Sequence, residues 1–411
     1  VLGGLTDTEL RASPVDTLPD LSNQALGMGE LVTDAWGVQK VSMPMSIFHG
    51  LWTFDIPPSM WLMYENSSEV ATSTDITSVN GHAKLLTTGT NTVLKLESRE
   101  CPRYQPNRGH LFSTAGWLPT RTADGVREFG VFTAFNGIFF RLKADGLLYA
   151  VVRSNGVDTE TLIPTANLPV GFDVEKNNIY DIQFQWRSAG NAKFFIGDEA
   201  TGASKLVYTF SHLNLFQAVS MENPALPICF RAERITEDVE MHLGCADITS
   251  ENGLVDKEQY NSAYAEGVSI STNTPVIVIK QPLLISSVTN TRTITLARIT
   301  VTSSKKGNFK VWLTRDPSAI TGATFVTLGS GSFLETDSPD MTAGAVKATS
   351  VNTALMKFVT SIPVEAAVSR SIDNPYRGRI EFPLVRGDYL VVTGTAATAT
   401  AECVVEWGEQ I

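Results

Sequence analysis

The stretch from Phe129 to Trp186 constrains the fold more than any other. Three Asx-Gly pairs, Asn136-Gly137, Asp145-Gly146 and Asn155-Gly156, divide it into apolar runs that alternate with polar residues. An Asx-Gly pair supplies the two positive-φ positions of a type I′ turn, so each pair predicts a tight hairpin. Gly130–Phe135, Ile138–Leu142 and Leu147–Arg153 are then antiparallel strands, and Tyr180–Trp186 returns beside them. A meander closed by a returning strand is a β-sandwich signature. Within it, Arg141, Lys143, Arg153 and Asp158 read as outward-facing polar positions on half-buried strands, not as a site.

The pattern extends in both directions. Alternating runs punctuated by Gly, Pro and Asn continue from residue 48 to residue 250 and make one sandwich of about ten strands. Residues 251–272 turn polar and charge-rich and read as a linker. Residues 273–411 return to short β-branched runs and make a second sandwich. Residues 1–47 begin with small and polar residues, prolines and widely spaced apolar positions, too few to bury a core, and read as an extended N-terminal arm. The expected fold class is all-β: two antiparallel β-sandwich (jelly-roll-like) domains with that arm.

Composition narrows the function. Charged residues make up 18% of the chain, below the ~25% usual in globular domains. Low charge with abundant Thr and Asx-Gly turns is typical of β-rich extracellular or virion proteins. Net charge is 32 − 43 = −11, which excludes a general nucleic-acid binder, because phosphate contact needs a positive surface. No apolar run approaches the ~20 residues of a membrane span, so no membrane insertion is expected. Val1–Glu30 lacks the basic and apolar regions of a secretory leader. Cys101, Cys229, Cys245 and Cys403 form no CxxC pair and no disulfide framework. They read as buried free thiols in a protein assembled in a reducing cytoplasm, with Cys229 and Cys245 on neighbouring strands.

No local motif for catalysis stands in the chain. The histidines His49, His82, His110, His212 and His242 are scattered, which rules out a metal site built from close sequence spacing. Cys101 and His110 flank a proline-broken loop and read as structural. Glu233, Glu237, Asp238 and Glu240 cluster at a hairpin, and a glycosidase needs two such carboxylates across its scissile bond; a solvated turn accounts for them. Asp124, Asp145 and Asp158 are turn residues, and a calcium site among such loops is left open. No catalytic residue, cofactor or metal is expected. Trp52, Phe54, Trp61 and Tyr64 fall in one short span. With Trp36, they are the candidates for a subunit interface, a sugar-binding platform being the alternative.

Two stretches carry a family resemblance. Thr33-Asp34-Ala35-Trp36-Gly37-Val38-Gln39-Lys40-Val41-Ser42-Met43-Pro44, followed by Ile47-Phe48, resembles the "DAFGRLRVSNP…LF" segment of a virion structural protein family of tailed bacteriophages and some large DNA viruses. Here Trp36 replaces the Phe, and Val38-Gln39-Lys40 replaces the basic run. Gly130–Phe140, Val151–Ser154 and Ile182–Trp186 are similar to the family's sandwich core, and Val404-Val405-Glu406-Trp407 is similar in kind. The resemblance implies a non-enzymatic virion structural protein that decorates a capsid or builds part of a fibre, tail or vertex assembly. Its partners would be other virion proteins and its own copies, a trimer favoured. The alternative it leaves open is a receptor- or carbohydrate-binding module on the virion surface that meets a host glycan.

Overall fold

The structure, a computed structural model, describes residues 44–102, 104–105, 108–119, 125–213, 218–251, 258–285, 288–290, 294–328, 332, 334–341, 343–373 and 383–410. The arm candidate Trp36 and the first resembling stretch, up to Met43, lie outside them. The chain divides into two units, one within 1–98 and 104–254, the other within 99–103 and 255–411.

In the first unit the strands are β1 (Met45–Leu51), β2 (Trp61–Glu65), β3 (Ser68–Val70), β4 (Ile76–Val79), β5 (His82–Leu86), β6 (Val93–Ser98), β7 (His110–Trp117) and β8 (Gly125–Phe132). They continue as β9 (Gly137–Leu142), β10 (Leu148–Ser154), β11 (Val157–Leu162), β12 (Asn178–Gln185), β13 (Asn191–Asp198), β14 (Ala203–Ser211), β15 (Ile228–Arg234) and β16 (Glu240–Ser250). Two antiparallel sheets result. Sheet A runs β14-β13-β12-β7-β16-β5-β4, with β1 also on β16; sheet B runs β11-β10-β9-β8-β15-β6-β2-β3. The expected meander is present as β8 to β11, and β12 returns in the opposite sheet.

The turns refine the expectation. Asn155 and Gly156 have φ of 47° and 77°, which gives the predicted type I′ hairpin between β10 and β11. Asn80-Gly81 does the same between β4 and β5. At Asp145-Gly146 only Gly146 is left-handed, because the Asp145 carboxylate accepts from the Leu147 N–H and fixes an Asx turn. At Asn136-Gly137 neither residue is left-handed. The Thr133 hydroxyl accepts from the N–H groups of Phe135 and Asn136, and this side chain shapes the turn.

Alternate residues of both sheets meet in one core. Trp52, Trp61, Phe48 and Phe230 form its aromatic end, with ring centroids of Trp52 and Trp61 5.3 Å apart. Both tryptophans are essentially unexposed, so they are withdrawn as interface candidates. Each fills core volume, and burying a ring of that size stabilises the fold by roughly 2–3 kcal/mol. Phe54, by contrast, is 95% exposed. Cys229 sits in sheet B and Cys245 in sheet A, not on neighbouring strands. All four cysteines are free thiols.

The second unit is built on two larger antiparallel sheets, with two small two-stranded ones beside them. Thr274–Lys280, Gly307–Thr314, Lys357–Val364 and Tyr389–Ala396 belong to one; Glu258–Ile270, Ile294–Ser303 and Ala399–Gln410 belong to the other. The stretch expected as a linker is therefore corrected: residues 258–270 are a strand paired along Ala399–Gln410. Its buried positions are Ala263 and Ala265, followed by Val268 and Ile270. Small alanines in a polar run hide a period-two pattern from a hydropathy reading. No helix among the described residues is long and apolar enough to cross a membrane.

Candidate functional site

Residues of sheet B that face away from the core form the site. Antiparallel register places side chains of neighbouring strands directly opposite one another. Tyr64 (β2) pairs with Lys95 (β6), and Lys95 with Arg231 (β15). Arg231 pairs with Glu128 (β8), Glu128 with Arg141 (β9), and Arg141 with Tyr149 (β10). One row of side chains thus crosses six strands. A second row runs Glu97, Cys229, Gly130, Phe139, Val151, Glu160. A third holds Phe132, Gly137, Arg153 and Asp158.

The floor is apolar and the wall is charged. Phe132, Phe139, Val151 and Cys229 form a separate buried cluster on this outer face. Over it lie the guanidinium groups of Arg153 and Arg141, with Cζ 4.9 and 5.3 Å from the Phe139 ring centre, a favourable cation–π geometry. Gly130 and Gly137 stand in these rows where a neighbouring strand approaches too closely for a Cβ. A Cβ on Gly130 would stand 2.5 Å from the Ile138 carbonyl oxygen, and one on Gly137 would stand 2.2 Å from the Phe132 Cβ. The same face holds a cavity of about 480 Å³, lined by Tyr64, Lys95, Glu97, Glu128, Arg153 and Arg231 among others. That volume is in the range of small-molecule sites, ~300–1,000 Å³.

Glu128 is the centre of the charge network, with its side chain 1% exposed. Arg141 Nε donates to Glu128 Oε1 at 2.8 Å, and Arg231 Nη1 to Oε2 at 3.0 Å. Arg141 also reaches Asp158 at 2.6 Å and Glu160 at 2.7 Å. Arg153 holds Asp158 through Nε at 2.6 Å and donates to the Thr133 carbonyl at 3.0 Å. Arg231 holds Glu233 at 2.7 Å, Lys95 holds Glu97 at 2.9 Å, and Lys143 holds Glu160. Five cations thus meet five carboxylates, each cation paired.

The ionisation shifts follow from this pairing. Burial alone would lower the Arg141 pKa, but Glu128, Asp158 and Glu160 outweigh it and push it up. Arg231 and Lys95 are raised in the same way, against burial, by Glu128 and Glu97 respectively. Burial would raise Asp158, yet the hydrogen bonds from Arg153 and Arg141 hold it below the usual carboxylate range. Burial pushes the Cys229 thiol well up, so it stays protonated and does not act as a thiolate.

The sequence reading set Arg141, Lys143, Arg153 and Asp158 aside as ordinary polar positions; the sheet gathers all four into this network. It missed Lys95, Glu97, Glu128, Arg231 and Glu160 outright. A signal was there: Lys95-x-Glu97, Arg141-x-Lys143, Asp158-x-Glu160 and Arg231-x-Glu233 are charges at i, i+2 in strand-like runs. Repeated i, i+2 charges belong on one sheet face. Of the weighed hairpin carboxylates, Glu233 joins the network. Glu240 lies on sheet A with Lys84 and His242, and Asp238 pairs with Arg234. Tyr64 lines the cavity, the only described interface candidate to do so.

Sheet A carries a second cluster. His82 Nε2 and His242 Nδ1 are 2.7 Å apart, and Trp117 stacks on the His242 ring at 4.4 Å. These histidines come together only through the β5–β16 pairing. Among the described residues no group of three or more His, Cys, Asp or Glu is arranged to hold a metal ion.

No protein-family pattern matches the chain, and no curated protein matches it. Solved structures do. A beta-1,3-glucanase from Mycobacterium marinum is 13% identical over 49% of this chain and 98% of its own, with a TM-score of 0.35. A glycosyl hydrolase family protein from Mycobacterium fortuitum is 15% identical over 49% of this chain and 99% of its own, with a TM-score of 0.36. The binding domain of botulinum neurotoxin DC, solved with rat synaptotagmin II, is 12% identical over 53% of this chain and 60% of its own, with a TM-score of 0.30. The all-β sandwich fold rests on the strand pairing itself. One expectation is corrected: with named hydrolases among the structures similar to this chain, the exclusion of enzymatic activity is withdrawn.

Proposed function

We propose that the first unit is a saccharide-binding module, with the ligand seated in the cavity on the outer face of sheet B. The observation that carries this is the cavity wall. It sets guanidinium and ammonium donors beside carboxylate acceptors. A sugar ring offers the complement: hydroxyls that donate and accept at once. The wall stands on paired strands, so its groups are held before a ligand arrives and little ordering entropy is lost on binding. The likeness to a glucanase and to a toxin binding domain agrees in kind with this reading and does not support it further.

The test is a broad glycan panel read by calorimetry, with wild type beside Arg153→Ala and Arg231→Ala. The expected result is binding by wild type and a loss of about tenfold or more in each variant, with thermal unfolding showing that both still fold. Absence of binding across the panel, or variants that bind as wild type does, overturns the proposal. Following reducing ends in the same mixtures shows whether bound saccharide is also cleaved.

The setting we propose is a virion surface. It rests on the resemblance carried by Gly130–Phe140, Val151–Ser154 and Ile182–Trp186, which here form the strands that build the cavity and its backing sheet. In that setting Phe54 is the remaining exposed candidate for contact with another copy or another virion protein. Mass spectrometry and cryo-EM of the intact particle test this placement; absence of the chain from purified particles overturns it.

A further inference from the structure

The ion pairing around the cavity specifies the class of saccharide more narrowly. We infer that the ligand is uncharged, a neutral hexose oligomer and not a uronate or sialylated one; this rests on the saccharide reading above. Lys95, Arg141, Lys143, Arg153 and Arg231 each already have a carboxylate partner within hydrogen-bond range. Glu97, Glu128, Asp158, Glu160 and Glu233 are those partners, so the network as a whole is neutral, five against five, and each of the four cations that line the cavity, Lys95, Arg141, Arg153 and Arg231, is paired within it. An acidic sugar must take a guanidinium away from a carboxylate that is itself half-buried or more. The displaced carboxylate is then left desolvated and unpaired, the expensive outcome at such a site.

Two further observations point the same way. The faces of Tyr64 and Tyr149 are already covered by ammonium groups, Lys95 Nζ at 3.9 Å and Lys143 Nζ at 4.4 Å from the ring centres. Recognition therefore falls to hydrogen bonds at the wall. A paired carboxylate keeps acceptor capacity, since its two oxygens offer about four lone-pair sites; sugar hydroxyls fill that capacity without displacing a cation. In addition, the chain carries a net charge of −11, which repels acidic polymers at long range.

The experiment uses the whole chain and matched ligands. Mannose oligomers are compared with mannuronate oligomers of the same linkage and length, and glucose oligomers with glucuronate oligomers; each pair differs only in a hydroxymethyl against a carboxylate. Affinity is measured between about 0.05 and 0.5 M salt. The expected result is binding of a neutral member, its acidic counterpart weaker by about tenfold or more, and little salt dependence for the neutral ligand. An acidic member that binds as tightly or more tightly, with affinity falling as salt rises, overturns the inference while leaving the saccharide reading in place. Failure of both classes across the panel overturns the saccharide reading itself. Glu233→Gln supplies a second arm. It removes the carboxylate from Arg231 Nη2 at an accessible position, and it is expected to narrow the gap between neutral and acidic members. A gap left unchanged overturns the pairing argument.

Discussion

Arg141 and Glu128 face each other across neighbouring strands, and the guanidinium Nε lies 2.8 Å from the carboxylate Oε1. Glu128 is almost wholly out of water, and Arg231 is its second partner. The pair therefore fixes β8 against β9 and supplies the middle of the cavity wall. Arg141→Met leaves the carboxylate under-paired in a poor solvent for charge. The expected loss of stability is about 3 kcal/mol, measured by urea unfolding. Arg141→Met combined with Glu128→Gln is expected to regain part of it. A single variant as stable as wild type sinks the claim that this pair holds the face together.

His110 predicts an acid limit. Its ring is buried against Tyr104 and Phe184, neither nitrogen has a hydrogen-bond partner among the described residues, and burial lowers its pKa to about 4. A base whose folded pKa is depressed binds more protons when unfolded. Its favourable contribution is whole above about pH 6.5 and is lost as pH falls toward 4. The loss is about 3 kcal/mol at most. His110→Phe should flatten that part of the stability profile between pH 6.5 and 4. An unchanged profile would show that other groups set the acid limit.

The tryptophan positions separate core from surface. Trp61→Ala opens a hole beside Trp52 and Phe230 and should lower stability by about 3–5 kcal/mol. Phe54→Ala removes a ring that touches water and should leave stability within about 0.5 kcal/mol. Sedimentation then asks whether Phe54→Ala lowers the association state. If Phe54→Ala lowers stability as Trp61→Ala does, its exposed placement is refuted.

The His82–His242 pair should titrate as a unit. Burial is the largest influence on both rings and lowers both pKa values; Glu240 acts in the opposite sense on each. Ring nitrogens 2.7 Å apart share a proton, so the two steps belong to the pair. NMR titration of the ring protons is expected to show two coupled steps, with both rings below the ordinary imidazole value. His82→Gln should turn the His242 curve into a single step. Two independent steps near pH 6.5 in wild type contradict the contact.

Much of the fold was legible because turn chemistry is local. Asn155-Gly156 announces its hairpin within two residues, and the alternation on β9 and β10 tells which positions face the core. The charged face was not legible, because its neighbours are far apart in sequence. Lys95, Glu128, Arg141 and Arg231 become adjacent only after three strand registers are set. Aromatic density misled for a related reason: Trp52 and Trp61 read alike with Phe54, and only the path of the chain separates two core residues from an exposed one. The strand at 258–270 was lost because alanine buries well but scores weakly.

The rows on sheet B have a consequence for variation. Each wall residue is one peg in a lattice whose backbone is fixed by pairing, and its neighbours along the strand point into the core instead. Exchanging Lys95, Arg153 or Glu233 changes the outer face while Leu94, Val152 and Ala232 stay packed. Ligand preference can drift one peg at a time on an unchanged scaffold. An insertion of a single residue within β9 has the opposite effect: it turns Arg141 toward the core and Phe140 toward water, and removes both fold and face in one step.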